Sequence, residues 1–92
     1  MPDFTPQFSS LFGEQVVLDL RSPFLCVGKL TEQQKDYLLL ADADMHDLRD
    51  STTTRDQYLV KAKDGMPPNR RWVWIPLAEL VGVSRLADVI QD

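Results

Sequence analysis

The sequence predicts one mainly β domain, a small barrel of five short antiparallel strands with a short leading helix and a helical insertion before the fourth strand. Three observations carry that prediction. Apolar residues alternate with period two over several short stretches, each broken by proline, glycine or a polar cluster. Gly28 interrupts one of those stretches where a small sheet has to bend. The 92 residues, 43% hydrophobic and 26% charged, have the length of a single domain and no apolar run long enough to span a membrane.

The leading helix is expected over residues 5–12. Thr5 caps it, Pro6 suits its first position, Phe8, Leu11 and Phe12 share a face, and Gly13 ends it. Residues 15–21 then alternate, with Val16, Leu18 and Leu20 on one side and Val17, Asp19 and Arg21 on a wet one. Arg21-Ser22-Pro23 breaks this strand, because proline has no amide hydrogen to donate. A second strand covers residues 24–30 with Gly28 inside it, residues 31–36 form a loop, and Tyr37-Leu38-Leu39-Leu40-Ala41 is apolar enough for a third strand buried on both faces.

Asp42, Asp44, Asp47, Asp50 and Asp56 place the next stretch on the surface. A helix follows over about residues 54–64. Thr53 with Asp56 resembles a capping box, Arg55, Tyr58, Leu59 and Ala62 share a face, and Gly65 with Pro67-Pro68 stops it. A strand is the rival, since Tyr58, Val60 and Ala62 also alternate. Residues 71–75, rich in aromatic and branched side chains, form the fourth strand, cut by Pro76, and residues 80–84 the fifth. Pro76-Leu77-Ala78-Glu79 is too short to cross a sheet, so these two strands are expected to pair as a hairpin. Leu86, Val89 and Ile90 fit one helical turn in the tail.

Ten basic and fourteen acidic residues give a net charge of −4, which excludes coating nucleic acid or anionic lipid through overall charge. Cys26, the single cysteine, forms no internal bridge or multi-cysteine metal cage, and Met1-Pro2-Asp3-Phe4 lacks the stretches of a secretion signal. The expected setting is cytoplasmic. At this size folding buries only about 60–65% of the unfolded chain's surface, so association with further copies helps stability.

A leading helix and five short strands with a kink glycine in the second make the plan of an SH3-like barrel. Within it, Val16-Val17-Leu18-Asp19-Leu20, Gly28-Lys29-Leu30 and Leu38-Leu39-Leu40-Ala41-Asp42-Ala43 resemble the first motif of the Sm-like (LSm) proteins, and Leu80-Val81-Gly82-Val83-Ser84 resembles the closing strand of the second. The resemblance covers residues 8–84 and marks residues 44–70 as an insertion. It implies a homo-oligomeric ring in which the fourth strand of one copy pairs with the fifth of the next, with Trp72, Val73, Trp74, Ile75, Leu80, Val81 and Val83 as the interface. Unpaired strand edges are the physical reason for such pairing. The alternative reading is that both tryptophans fill the chain's own core or lie beneath the inserted helix.

The resemblance also implies RNA as a partner, through a nonstandard surface. The base-holding asparagine expected between the second and third strands is missing from Gln33-Gln34-Lys35-Asp36-Tyr37, and the family's Arg-Gly pair is replaced by Pro76-Leu77. Lys35 and Tyr37, with Arg70 and Arg71 before the fourth strand, are the candidate nucleic-acid contacts. Arg55, Lys61, Lys63, Arg70 and Arg71 are half of all the basic residues and lie close to Trp72 and Trp74, and cations beside aromatic faces suit single strands. The same cations equally offset aspartates on a solvated helix and loop.

His46 among Asp42, Asp44, Asp47 and Asp50 invites a metal reading, but the spacing fits no calcium loop and zinc needs more nitrogen or sulfur, so a solvated acidic loop is expected. Cys26 reads as a buried small hydrophobe. No catalytic constellation, cofactor motif, membrane segment or small-molecule site is predicted. Two functions follow, an Sm-like ring touching RNA and a scaffold or protein-interaction module on the same barrel.

Overall fold

The computed structural model describes residues 6–21, 23–49 and 53–90. The Thr5 cap, Ser22 of the first turn, Asp50 of the acidic stretch and the last two residues of the tail lie outside them. The fold is mainly β. Among the described residues five strands, β1 (Gln15–Leu20), β2 (Phe24–Gln33), β3 (Tyr37–Asp47), β4 (Arg70–Pro76) and β5 (Leu80–Arg85), form one antiparallel sheet in the order β4-β3-β2-β1-β5, with one α-helix, α1 (Arg55–Lys63), between β3 and β4.

The sheet curls without closing. Val16, Leu18, Cys26, Leu30, Leu38, Leu40, Ala43 and Ile75 form its inner core, and Val73, Leu80 and Val83 of the two edge strands pack against the same cluster. Yet among the described residues β4 pairs only with β3 and β5 only with β1. The hairpin expected between them does not form, and the reason is the 3-10 turn Leu77–Glu79. Leu77 N–H donates to the Asp36 carbonyl (2.8 Å), while Arg21 donates its N–H to the Glu79 carbonyl (2.8 Å) and its Nε–H to the Ala78 carbonyl (2.7 Å). Clamped to the end of β1, the turn sends β5 along β1 rather than back along β4.

Two bulges interrupt the β2–β3 ladder, and a third irregularity lies between β1 and β5 at Asp19/Leu20; β2 and β3 both run beyond the sequence reading. Pairs Leu30↔Leu40 and Glu32↔Leu39 leave Thr31 as an extra residue in β2, its Oγ1 donating to the Leu39 carbonyl at 3.0 Å. Pairs Val27↔Asp44 and Lys29↔Ala41 put an extra residue into β3, where Asp42 takes φ 48°. The expected loop over 31–36 therefore shrinks to 34–36, and β3 runs six residues past Ala41. The acidic stretch expected as loop is strand as far as Asp47, and the insertion outside the sheet is 48–69.

The wet face expected on β1 is also covered. Val17, Leu25 and Val27 on the outer side of β1 and β2 pack beneath Tyr58, Leu59 and Ala62 of α1 and Leu86 of the tail, so these strands are buried on both faces. Three successive apolar residues, Val16-Val17-Leu18, are the pattern of such burial. The helix forms as expected with its cap one residue later. Thr54 accepts from Gln57 N–H (3.1 Å) and Gln57 Oε1 accepts from Thr54 N–H (2.9 Å), so the box is closed by Thr54 and Gln57 in place of the expected Thr53 and Asp56. The leading helix is reduced to a 3-10 turn, Ser9–Leu11, with Phe8, Leu11 and Phe12 on the inner core and Gly13 at φ 88°. The tail makes a 3-10 turn at Leu86–Asp88.

Candidate functional site

The four candidate nucleic-acid contacts fall into two groups that the sheet holds apart. Lys35 is exposed at the tip of the three-residue β2–β3 loop, which closes through Gln34 N–H to the Tyr37 carbonyl at 2.8 Å. Tyr37, half-buried, opens β3 opposite Pro76. Arg70 stands at the other end of the same ladder, opposite Ala43, with Arg71 next to it, both exposed. Six residues of strand separate the ends, about 20 Å. Gln33 is buried and engaged locally, its Oε1 accepting from Phe8 N–H at 3.0 Å.

β4 carries the largest exposed apolar side chains of the sheet. Trp72 is 49% exposed and Trp74 57%, so neither fills the core nor lies beneath α1. They stand on the outer face opposite Ala41 and Leu39, while Val73 and Ile75 point inward opposite Leu40 and Leu38. The other expected interface residues divide. Ile75 is 4% exposed and belongs to the inner core, Val73, Leu80 and Val83 are half-buried against that core, and Val81 is 68% exposed on β5. Trp72 and Trp74 thus crown one edge of the sheet and Val81 marks the other.

As far as Asp47 the acidic stretch is strand rather than loop. Past the Asp42 bulge, Asp44 and His46 face α1. His46 stacks on Tyr58 with ring centroids 4.3 Å apart and planes at 11°, and the Tyr58 hydroxyl donates to the Asp44 carboxylate. The His46 Nε2 is buried with no hydrogen-bond partner among the described residues. Arg55 pairs with Asp19 of β1, and Asp47 pairs with Arg49 at 3.0 Å. Burial, then the hydrogen bond to Asp44, pushes the Tyr58 hydroxyl well above its usual range. The Cys26 thiol, fully buried, is pushed up to about 12 by burial first and the Asp44 charge second, so it is an inert core group.

Among the described residues no three His, Cys, Asp or Glu side chains cluster as a metal site, and no helix is long and apolar enough to cross a membrane. The anchoring of α1 by Tyr58 was not legible as a site in the sequence, because Asp44 and His46 read as loop until the bulge at Asp42 carries β3 past them. Helical spacing of Tyr58 with Leu59 and Ala62 was the available signal.

No protein-family model and no curated protein matches the chain. Among solved structures, it is similar to a chain in the crystal structure of the NatC complex bound to CoA, at 14% identity and TM-score 0.55, over 87% of this chain and 84% of that one. At that identity the likeness is one of fold.

Proposed function

We propose that this chain is a divergent Sm-like domain acting as a protein-assembly subunit, a non-catalytic scaffold that docks protein through an open sheet edge, rather than an RNA-binding ring component. The observation that carries this reading is the pair Trp72 and Trp74, about half exposed on an edge strand whose outer side meets no further strand among the described residues. An unpaired strand with large aromatic side chains is a template for another chain. Natural edge strands are usually blunted by charge, and here the cations stop at Arg71.

The strand order β4-β3-β2-β1-β5 behind a short leading turn, with Gly28 at the bend, supports the Sm-like part of the reading. A chain of similar length and fold occurs within the NatC complex, which supports a subunit role. The roughly 20 Å between the Lys35–Tyr37 and Arg70–Arg71 groups, together with the net charge of −4, weighs against a compact RNA site.

Titration with short single-stranded oligonucleotides at several salt concentrations tests this. The expected result is no binding at low salt. Binding that weakens as salt rises, with a slope flattened by Arg70→Ala and Arg71→Ala together, overturns the reading in favour of RNA.

A further inference from the structure

Resting on that reading of β4 as the docking edge, we propose that its occupant is the same strand of a second copy, paired antiparallel about a two-fold axis at Val73. The backbone directions come first. Leu77 N–H, one residue past β4, bonds to the Asp36 carbonyl, one residue before β3, and amides alternate sides along a strand, so Arg71, Val73 and Ile75 direct their backbone groups to β3. Arg70, Trp72, Trp74 and Pro76 direct theirs to the free side, where proline has no donor.

With Val73 facing Val73 of the second copy, Trp72 lies opposite Trp74 and Arg70 opposite Pro76. Every outward donor of the edge, the amides of Arg70, Trp72 and Trp74, then meets a carbonyl, and the proline falls at the ladder's end. Sliding the register so that Trp74 faces itself sets Trp72 against Pro76 and leaves Arg70 beyond the pair. Sliding it the other way, Trp72 on itself, sets Trp74 against Arg70 and breaks the aromatic row.

Side chains fit the same register. On the outer face the rows become Leu39, Trp74, Trp72 and Ala41 across the two copies, each large ring beside a smaller residue, and paired cross-strand aromatics are favourable. On the inner face the half-buried Val73 of each copy meets the other and joins the two cores. The arginines of the two copies go to opposite ends, about 20 Å apart. There Arg70 lies in line with Pro76 and Tyr37 of the second copy, where its guanidinium has a ring to cover and the neighbouring Asp36 as counter-charge. Pairing with β5 of another copy, the head-to-tail alternative, sets the indoles beside Val81, Gly82 and Ser84 and gives Arg70 no such row.

Because Val73 turns its backbone groups away from the free edge, the two Val73 residues form a non-hydrogen-bonded pair with Cα atoms about 4.5 Å apart, within reach of a disulfide. In a Cys26→Ala background, Val73→Cys is expected to oxidise to a covalent dimer, Val81→Cys to remain uncrosslinked, and the native chain to sediment as two copies. Trp74→Lys, at an exposed position, is expected to sediment as a folded monomer. A larger assembly with no cross-link at position 73 overturns the pairing of β4 with itself while leaving β4 as a docking edge. A native chain that stays monomeric also overturns it, and assembly unaffected by Trp74→Lys overturns both the inference and the edge reading.

Discussion

Gly28 and Ala43 face each other so closely across β2 and β3 that a Cβ on residue 28 would stand 2.7 Å from the Ala43 Cβ and 3.0 Å from its Cα. The approach lies beside the Asp42 bulge, where the ladder between Val27↔Asp44 and Lys29↔Ala41 gains its extra residue. The neighbour is a methyl on backbone and has no flexible end to move aside. Gly28→Ala is therefore expected to lower stability by roughly 1–3 kcal/mol. Ala43→Gly in the same chain removes the closer contact and should recover part of the loss. Urea unfolding midpoints of the native chain and the two variants check this, and an unchanged midpoint for Gly28→Ala contradicts it.

The hold of β3 on α1 through Tyr58 predicts a graded series. Tyr58→Phe keeps the ring against His46 but removes the donor to Asp44, and is expected to cost about 1–2 kcal/mol. Tyr58→Ala removes the ring from the outer core and should cost about 3–5 kcal/mol. Amide exchange within α1 should quicken in the same order.

Stability should fall on the alkaline side. The folded chain holds the Cys26 proton up to about 12, against an ordinary 9.0 when unfolded. Between those values folding takes up a proton, so its contribution is complete below about pH 9 and is lost toward pH 12, at about 1.4 kcal/mol per pH unit. The Tyr58 hydroxyl, also raised, acts in the same direction above its ordinary 10.0. Unfolding free energies measured across this range should slope less in Cys26→Ala, and less again with Tyr58→Phe added.

The cap on α1 gives an independent check on how its first turn is held. Thr54→Ala leaves the Gln57 amide without its acceptor and should cost about 1 kcal/mol, whereas Thr54→Ser keeps a hydroxyl acceptor and should cost less. Equal losses for the two substitutions, read from thermal midpoints, contradict the assigned cap.

Local pattern carried the strands, the helix and the meaning of Gly28, because period two, capping residues and a missing side chain are all written within a few positions. What it missed depends on partners distant in sequence. Val17 reads as wet until α1 covers it, and Asp44 and His46 read as loop until the bulge at Asp42 extends β3. The separate paths of β4 and β5 depend on Arg21, 57 residues before the Ala78 carbonyl it holds in the turn. For the site, Trp72 and Trp74 were legible as interface or core residues, and only their register opposite Ala41 and Leu39 decides for the surface. Ile75, one residue on, turns inward by the same alternation. The distance between Lys35 and Arg70 is likewise a property of the ladder and not of composition.

Both tryptophans of the chain stand on β4, so its native fluorescence reports that edge without a label. Emission recorded over a dilution series from millimolar to submicromolar chain is expected to shift from blue, with the indoles covered, to red as copies part, and to keep the red position at every concentration in Trp74→Lys. Emission of the native chain that stays red and freely quenched at the highest concentration contradicts docking of one copy on another at β4.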